Sequence, residues 1–175
     1  LIALLGGIVI VERLGEMART AGKIVEISVY GGSALVLTTD FRVATRDVDA
    51  VFESDRTFVR RVAGIIAAEF GWNENWINDG VKGFLSANDA QAEAKMLLRS
   101  YPSEENPGLR IFVASPSYLF AMKCLAMRAG GVEEAQDIDD IRNLGALLQI
   151  RTAEGAIAVI SRYYPAGGLP PKTRF

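Results

Sequence analysis

Hydrophobic positions switch between helical and strand spacing along the first third of the chain. Apolar side chains recur at helical spacing over about residues 8–21, and a glycine follows, so this segment is predicted to be a helix. Residues 24–30 and 47–52 are rich in β-branched side chains, which predicts two strands. The short apolar run at 34–37 lies between them and is typical of a short helix.

The rest of the chain predicts one more pair of strands and then helices only. Ser54 or Asp55 can cap a helix that continues to Phe70, with one face formed by Phe58, Val62, Ile65, Ile66 and Glu69. Residues 72–88 show no regular spacing, whereas 94–101 and 109–114 are predicted to be strands. Ser115 and Pro116 form a helix start, and helices are predicted over about 115–128, 132–150 and 152–162.

This order of elements predicts an α/β or α+β fold, in which a small mixed sheet is followed by a helical C-terminal half. The 175 residues suit one domain, because domains usually contain roughly 100–200 residues. We therefore predict a single domain over 1–175, with a helix and sheet core over about 1–114 and a helical part over about 115–175. The Pro- and Gly-rich tail from Pro165 has no predicted role.

Composition excludes several kinds of catalytic site. The chain has no histidine, and Cys124 is its only cysteine. A Ser-His-Asp or Cys-His nucleophile, a histidine base and a zinc site built on His and Cys are therefore excluded. Cys124 itself is interpreted as a core thiol. Any chemistry must come from carboxylates, Lys, Arg, hydroxyl groups or backbone amides.

Net charge and hydropathy argue against two kinds of partner, a nucleic acid coated by the protein and a membrane. The formal net charge is −2, so bulk electrostatics do not predict a protein that coats nucleic acid. The most apolar stretch, 1–11, is shorter than the roughly 20 residues of a bilayer-spanning helix and has no basic segment of a signal peptide. We expect a cytoplasmic protein with no membrane partner.

Two short motifs carry the candidate chemistry. Asp47 and Asp49 are two residues apart on a predicted strand, so both carboxylates project from one face, where their repulsion is relieved by a cation such as Mg²⁺ or Mn²⁺. Gly31, Gly32 and Ser33 lie between a strand and a helix start, a position that suits a phosphate group. Alone, an Asp-x-Asp strand is usually a solvated edge and a Gly-Gly pair is usually a turn.

In combination, the two motifs resemble the signature of the polymerase-beta nucleotidyltransferase superfamily. They occur in the same order, with thirteen residues between Ser33 and Asp47. Together with the segment 76–84 (WINDGVKGF), they are similar to an uncharacterised bacterial family of nucleotidyltransferase-like proteins related to AbiEii-type toxins of toxin–antitoxin systems. The similarity extends over about residues 24–148. It implies a nucleotidyltransferase-like fold, although it assigns no role to the segment 76–84.

Lys123 and Asp137 complete the candidate site. Lys123 is the only charged residue of 118–127, and Asp137 aligns with Ile141, Leu144 and Leu148 on one helical face. The resemblance implies that Lys123 binds the triphosphate and that Asp137 activates the acceptor. From the residues alone, Lys123 can equally snorkel to solvent or pair with a core carboxylate, and Asp137 can simply favour a helix N-terminus. Asp140 and Arg128 are candidates for side chains that contact Lys123 or Asp137.

The resemblance implies Mg²⁺-dependent transfer of a nucleoside monophosphate from a nucleoside triphosphate to an acceptor hydroxyl. Arg46, and with it Arg42, can neutralise phosphate or remain solvated. Three acceptor classes fit this reaction: RNA, for example a transfer RNA 3′ end, a protein hydroxyl, and a small molecule. The resemblance also implies an antitoxin as a partner. One departure favours a silent nucleotide- or partner-binding module, because 95–99 and 109–113 lack the third carboxylate that polymerase-like members usually present on a later strand. A purely structural domain with solvated Asp47 and Asp49 is the third alternative.

Overall fold

The computed structural model describes residues 2–87, 95–127 and 131–165 of the chain. Its strands, numbered β1 to β7 in chain order, are Ile2–Ala3, Val25–Val29, Ala44–Thr45, Val48–Phe52, Ile77–Asn78, Lys95–Tyr101 and Leu109–Ala114. Its α-helices, numbered α1 to α6, are Leu4–Thr20, Gly31–Thr38, Arg56–Phe70, Pro116–Ala126, Gly131–Leu147 and Ala153–Tyr163. A short 3-10 helix covers Gly80–Phe84. The predicted mixture of α and β structure is confirmed.

The chain divides into two compact units. The first comprises residues 1–82 and 96–113, and the second comprises residues 83–95 and 114–175. The first unit therefore contains Gly31 and Gly32, called the glycine pair from here on, and Asp47 and Asp49, called the acid pair. The second unit contains helices α4 to α6.

A five-stranded mixed sheet, in the order β5-β4-β2-β7-β6, organises the first unit. Strand β2 runs antiparallel to β4 and parallel to β7, and β4 runs parallel to β5. A separate antiparallel ladder joins β1 to β3. Burial along β4 alternates, with Val48, Ala50 and Phe52 buried and Asp49 half-buried, as expected of a strand with one face toward a core.

Helix α3 is defined by a cap at each end and by one buried face. Its cap residue Asp55 accepts a hydrogen bond from the Phe58 amide, and Gly71 ends the helix in a left-handed conformation. Phe58, Val62 and Ile66 are buried as predicted, whereas Ile65 is 43% exposed and does not belong to the buried face. On its outer side Glu69 binds Arg13 of α1.

The second unit packs α5 and α6 against α4. Ser115 caps α4, with Pro116 at its first position, and Thr152 caps α6, both through side-chain oxygens that accept backbone N–H groups. The rings of Tyr118 and Tyr163 stack with centroids 4.7 Å apart, and Tyr118 accepts a hydrogen bond from the Ser86 amide. This aromatic layer fixes the buried face of α4.

Among the residues that the structure describes, no helix has both the length and the apolar character needed to cross a bilayer.

Candidate functional site

The glycine pair lies at the first turn of α2. This helix begins at Gly31, three residues before the predicted start at Ala34, and its N-cap residue Tyr30 makes no side-chain cap hydrogen bond. The amides of the first turn of a helix have no intrahelical acceptor, and the helix dipole adds partial positive charge there. Glycine has a low helix propensity, so the two glycines favoured a turn in the sequence analysis. The predicted start of α2 was therefore three residues too late. This end of α2 therefore has the chemistry of a phosphate-binding site.

Ser33 joins α2 to β4 rather than pointing to solvent. Its side chain is buried, its hydroxyl donates to the Tyr30 carbonyl at 3.0 Å, and the same oxygen accepts the Asp49 amide at 3.1 Å. The Tyr30 amide in turn donates to the Asp49 carbonyl at 2.9 Å. The sequence predicted that this hydroxyl would bind phosphate, whereas in the structure it fixes the distance between the glycine pair and Asp49.

The two aspartates of the acid pair are both half-buried. Asp49 lies on β4 with its carboxylate against Gly31: a Cβ built on Gly31 would be 2.5 Å from Asp49 Oδ2. Asp47 directly precedes β4, and its Oδ2 accepts a hydrogen bond from Asn78 Nδ2 at 3.0 Å. The carboxylate of Asp49 thus faces the start of α2, and that of Asp47 faces β5.

Asn78 is a site residue that sequence analysis did not identify. It pairs in register with Asp49 through the parallel β4 and β5 ladder, and its side chain holds Asp47. The same segment is anchored by Trp76, whose buried indole N–H donates to the Ala63 carbonyl of α3. A two-residue strand has no periodicity, so nothing in the sequence distinguishes it from the loop around it.

Asp79, the next residue, is surrounded by three cationic side chains. Its carboxylate contacts Arg56, Arg60 and Lys82. Hydrogen bonding by Lys82, with the charges of the two arginines, lowers the pKa of Asp79. Residues 76–82 of this segment therefore make structural contacts within the first unit, although no role was predicted for them.

Two arginines supply positive charge around the glycine and acid pairs. The Arg42 guanidinium lies over Gly32, since a Cβ built on Gly32 would be 2.6 Å from one of its nitrogens, and its Nε donates to the Ala44 carbonyl. Arg46 is exposed and, together with Asp47, lines a pocket. Arg42 thus lies at the start of α2, and Arg46 lies beside Asp47.

The residues present fit a divalent cation such as Mg²⁺. Oxygen ligands from one or two carboxylates, completed by substrate phosphates and water, are the usual protein environment of Mg²⁺. Asp49 provides one such carboxylate beside the start of α2, and Asp47, whose carboxylate faces β5, provides a second two residues away along the chain. Within the described part of the chain, no group of three or more His, Cys, Asp or Glu side chains is arranged to hold a metal without a substrate.

Lys123 and Asp137 come together in the second unit, where Lys123 is bound between two carboxylates. Its Nζ lies 2.9 Å from Asp137 Oδ1 and 2.8 Å from Asp140 Oδ2, and all three side chains are buried. The structure therefore contains the core ion pair that was one of the alternatives for Lys123. Asp137, predicted to lie on the apolar face of its helix, is on that face together with Leu144, and Asp139 is exposed.

Other predicted features of the second half are simple to place. Cys124 is half-buried, and burial raises the pKa of its thiol to about 11, so it stays protonated at neutral pH. Arg128 and the tail after residue 165 lie outside the described residues.

Comparison with known proteins gives no match: no family model, no curated protein and no solved structure is similar to this chain. The geometry of the described residues is therefore the basis for a functional proposal.

Gly31→Ala is the substitution that tests the junction between α2 and Asp49. Gly31 has φ +57°, which L side chains rarely adopt, and the new methyl group would overlap the Asp49 carboxylate. We expect a loss of about 1–3 kcal/mol in the free energy of unfolding, measured in urea. If this junction binds Mg–nucleotide, the affinity for it should also fall about tenfold or more, because Asp49 must move.

Gly64→Ala is the matched control for this substitution. A Cβ at Gly64 meets no atom within 4 Å, and the residue lies inside α3. The same change there should raise stability by about 0.5–1 kcal/mol and leave nucleotide affinity unchanged. Equal nucleotide affinities for Gly31→Ala and the unmodified protein would show that this junction does not contribute to binding.

Proposed function

We propose that this chain is a Mg²⁺-dependent nucleotidyltransferase that moves a nucleoside monophosphate from a nucleoside triphosphate to an acceptor hydroxyl. One observation carries the proposal: the N-terminal turn of α2 is held against Asp49, one of the two residues of the acid pair. Ser33 bonds the Asp49 amide, and the Asp49 carboxylate lies against Gly31. A site for phosphates and a site for their metal ion are thereby adjacent, as phosphoryl transfer requires.

Each group has a definite role in this proposal. The backbone amides of residues 31–33 bind the β- and γ-phosphates, and the two glycines leave room for the Asp49 carboxylate and the Arg42 guanidinium beside them. Asp47 and Asp49 hold the Mg²⁺ ion, which neutralises charge on the phosphates and stabilises the departing pyrophosphate. Arg42 and Arg46 add positive charge beside the phosphates. The acceptor oxygen bonds to the α-phosphorus as the bond to pyrophosphate breaks.

The family resemblance adds roles that belong to the second unit. It proposes Lys123 as a ligand of the triphosphate and Asp137 as the group that activates the acceptor. It also proposes a setting in a toxin–antitoxin pair, with an antitoxin as partner. RNA, a protein hydroxyl and a small molecule are the acceptor classes that the assay below separates.

A catalytically silent module that binds nucleotide or a partner is the second candidate. One specific observation favours it: strands β6 and β7 carry no acidic side chain. Moreover, the Lys123 ammonium is already paired with two aspartates. Such a module would use the same glycine and acid pairs to bind Mg–nucleotide and would release no pyrophosphate.

A transfer assay distinguishes the two candidates. The protein is incubated with each α-labelled nucleoside triphosphate, Mg²⁺ and total cellular RNA, and label on RNA, label on protein and free pyrophosphate are followed. A transferase releases pyrophosphate and labels one acceptor class, and Asp47→Asn abolishes both signals. Nucleotide binding without pyrophosphate release supports the silent module, and no Mg²⁺-dependent nucleotide binding at all refutes both the transferase and a nucleotide-binding module.

A further inference from the structure

An open pocket lies beside the acid pair, on the side of Asp47. Its volume is about 540 Å³, and its lining includes Arg46, Asp47, Trp72, Asn73, Asn75 and Trp76. Ligand sites usually have volumes of roughly 300–1,000 Å³. All of these residues belong to the first unit, and the proposed phosphate site uses only two of them.

The aromatic wall of the pocket is fixed from behind. Trp72 is half-buried and packs edge-on against Trp76, with ring centroids 5.9 Å apart. The Phe70 ring also packs against Trp72, with centroids 6.1 Å apart. Trp76 is itself buried and bonded to α3 through its indole N–H. An indole held in this way can stack on a planar ring without first losing side-chain freedom.

The polar groups of the pocket match the other parts of a nucleotide. Asn73 and Asn75 are exposed at its rim, and side-chain amides offer both donors and acceptors to the edge of a base. The side-chain Oδ1 of Asn73 accepts a hydrogen bond from the backbone N–H of Asn75 at 2.8 Å, which fixes the turn that carries both residues. The guanidinium of Arg46 suits a phosphate, and the Asp47 carboxylate suits hydroxyl groups of a ribose.

We infer that this pocket binds a second nucleotide moiety, a nucleobase with its ribose and one phosphate, in addition to the triphosphate. The base stacks on Trp72, Asn73 and Asn75 contact its edge, and Arg46 contacts its phosphate. Free mononucleotides and the terminal nucleotide of an RNA share this chemistry. The binding site does not depend on the metal ion.

The position of the pocket gives the second nucleotide the role of acceptor, a role that rests on the proposed function. Asp49 faces the start of α2, where the pyrophosphate would leave, whereas Asp47 faces the pocket. In an in-line displacement the attacking oxygen approaches opposite the leaving group. The hydroxyl of the second nucleotide forms the new bond to the α-phosphorus, pyrophosphate carries away the electron pair of the broken bond, and the proton passes to solvent.

Binding of nucleoside 5′-monophosphates in the presence of EDTA tests the inference without the metal ion. Quenching of tryptophan fluorescence and calorimetry are measured with all four monophosphates, with ribose 5-phosphate, which has no base, and with adenosine, which has no phosphate. We expect saturable binding of at least one monophosphate, and at least tenfold weaker binding of the two truncated compounds. A trinucleotide RNA in the same assay shows which source binds more tightly, and saturable binding of either one supports the site.

Variants locate the binding. Trp72→Leu should weaken monophosphate binding about tenfold or more in calorimetry, whereas Trp72→Phe should restore most of it because a flat aromatic face remains. Asn106→Ala, an exposed amide in the loop between β6 and β7, is the control and should bind like the unmodified protein. No saturable binding up to millimolar concentration, or equal binding by Trp72→Leu, would overturn the inference.

The same titrations separate failure of this inference from failure of the proposed function. Mg²⁺-dependent triphosphate binding without any metal-independent monophosphate binding overturns the second site and leaves the transferase proposal standing. The reverse result, monophosphate binding that depends on Trp72 without triphosphate binding, overturns the acceptor role and the transferase proposal but supports the pocket as a nucleotide site.

Discussion

Replacement of both acidic residues, Asp47→Asn with Asp49→Asn, is expected to abolish Mg²⁺-dependent nucleotide binding while the chain stays folded. The two carboxylates are the proposed ligands of the metal ion, and neutral amides are far weaker ligands for Mg²⁺ than carboxylates. Nucleotide affinity measured by calorimetry should fall by about a hundredfold or more. The unmodified protein should show the same low affinity when EDTA removes the metal.

The fold should tolerate this double substitution. An asparagine at position 47 keeps an oxygen that can accept the hydrogen bond from Asn78 Nδ2. Removal of two neighbouring like charges also removes their repulsion in the folded state. We therefore expect the free energy of unfolding to change by less than about 1 kcal/mol.

Thermal unfolding gives a second readout of the same prediction. Ligand at a hundredfold excess over its Kd stabilises a protein by about 2.7 kcal/mol, which corresponds to a Tm increase of about 5–10 °C at this chain length. Mg–nucleotide should produce this increase in the unmodified protein and none in the double variant. Asp40→Asn with Asp139→Asn changes the net charge equally at two exposed positions and should keep the increase. Normal Mg–nucleotide binding by the double variant would show that the proposed site is wrong.

The features that the sequence predicted well are those determined by local chemistry. Asp55 and Ser115 each cap a helix through a side-chain oxygen, as predicted, and a capping interaction involves only residues three apart. The strands Val25–Val29 and Val48–Phe52 are long enough to show their β-branched pattern. Adjacency of the glycine pair and Asp49, by contrast, depends on the sheet order of the folded chain, in which β2 and β4 are neighbours.

The features that the sequence did not predict depend on contacts between distant segments. Strand β5 exists because two residues pair with β4, and Asn78 becomes a site residue only through that pairing. Likewise, Ile65 has the right spacing for the buried face of α3, yet it is 43% exposed. The turn from 72 to 76 has no periodic pattern, so its pocket could not be anticipated from the residues alone.

The ion cluster of the second unit leads to the other prediction with a large effect. Lys123→Met keeps the length of the side chain but removes the ammonium that two buried carboxylates contact, those of Asp137 and Asp140. Breaking a buried ion pair by removal of one partner costs about 3–5 kcal/mol, because the remaining charge stays in a poorly solvated place. We expect a loss of this size in the free energy of unfolding, measured in urea at pH 7.

A compensating variant shows whether charge is the cause. Addition of Asp137→Asn and Asp140→Asn to Lys123→Met removes both negative charges from the same place. Neutral replacements of a buried ion cluster often cost little, so most of the lost stability should return. If the triple variant were as unstable as Lys123→Met alone, packing around the lysine stem and not charge would account for the loss.

The triple variant then decides between the two interpretations of Lys123. Its ammonium lies within 3 Å of both carboxylates, so its charge is already compensated inside the second unit. A phosphate would have to compete with both aspartates for the ammonium. We expect Mg–nucleotide affinity in the folded triple variant to match that of the unmodified protein. A decrease of about tenfold or more, with the fold retained, would instead show that Lys123 binds the triphosphate, as the family resemblance implies.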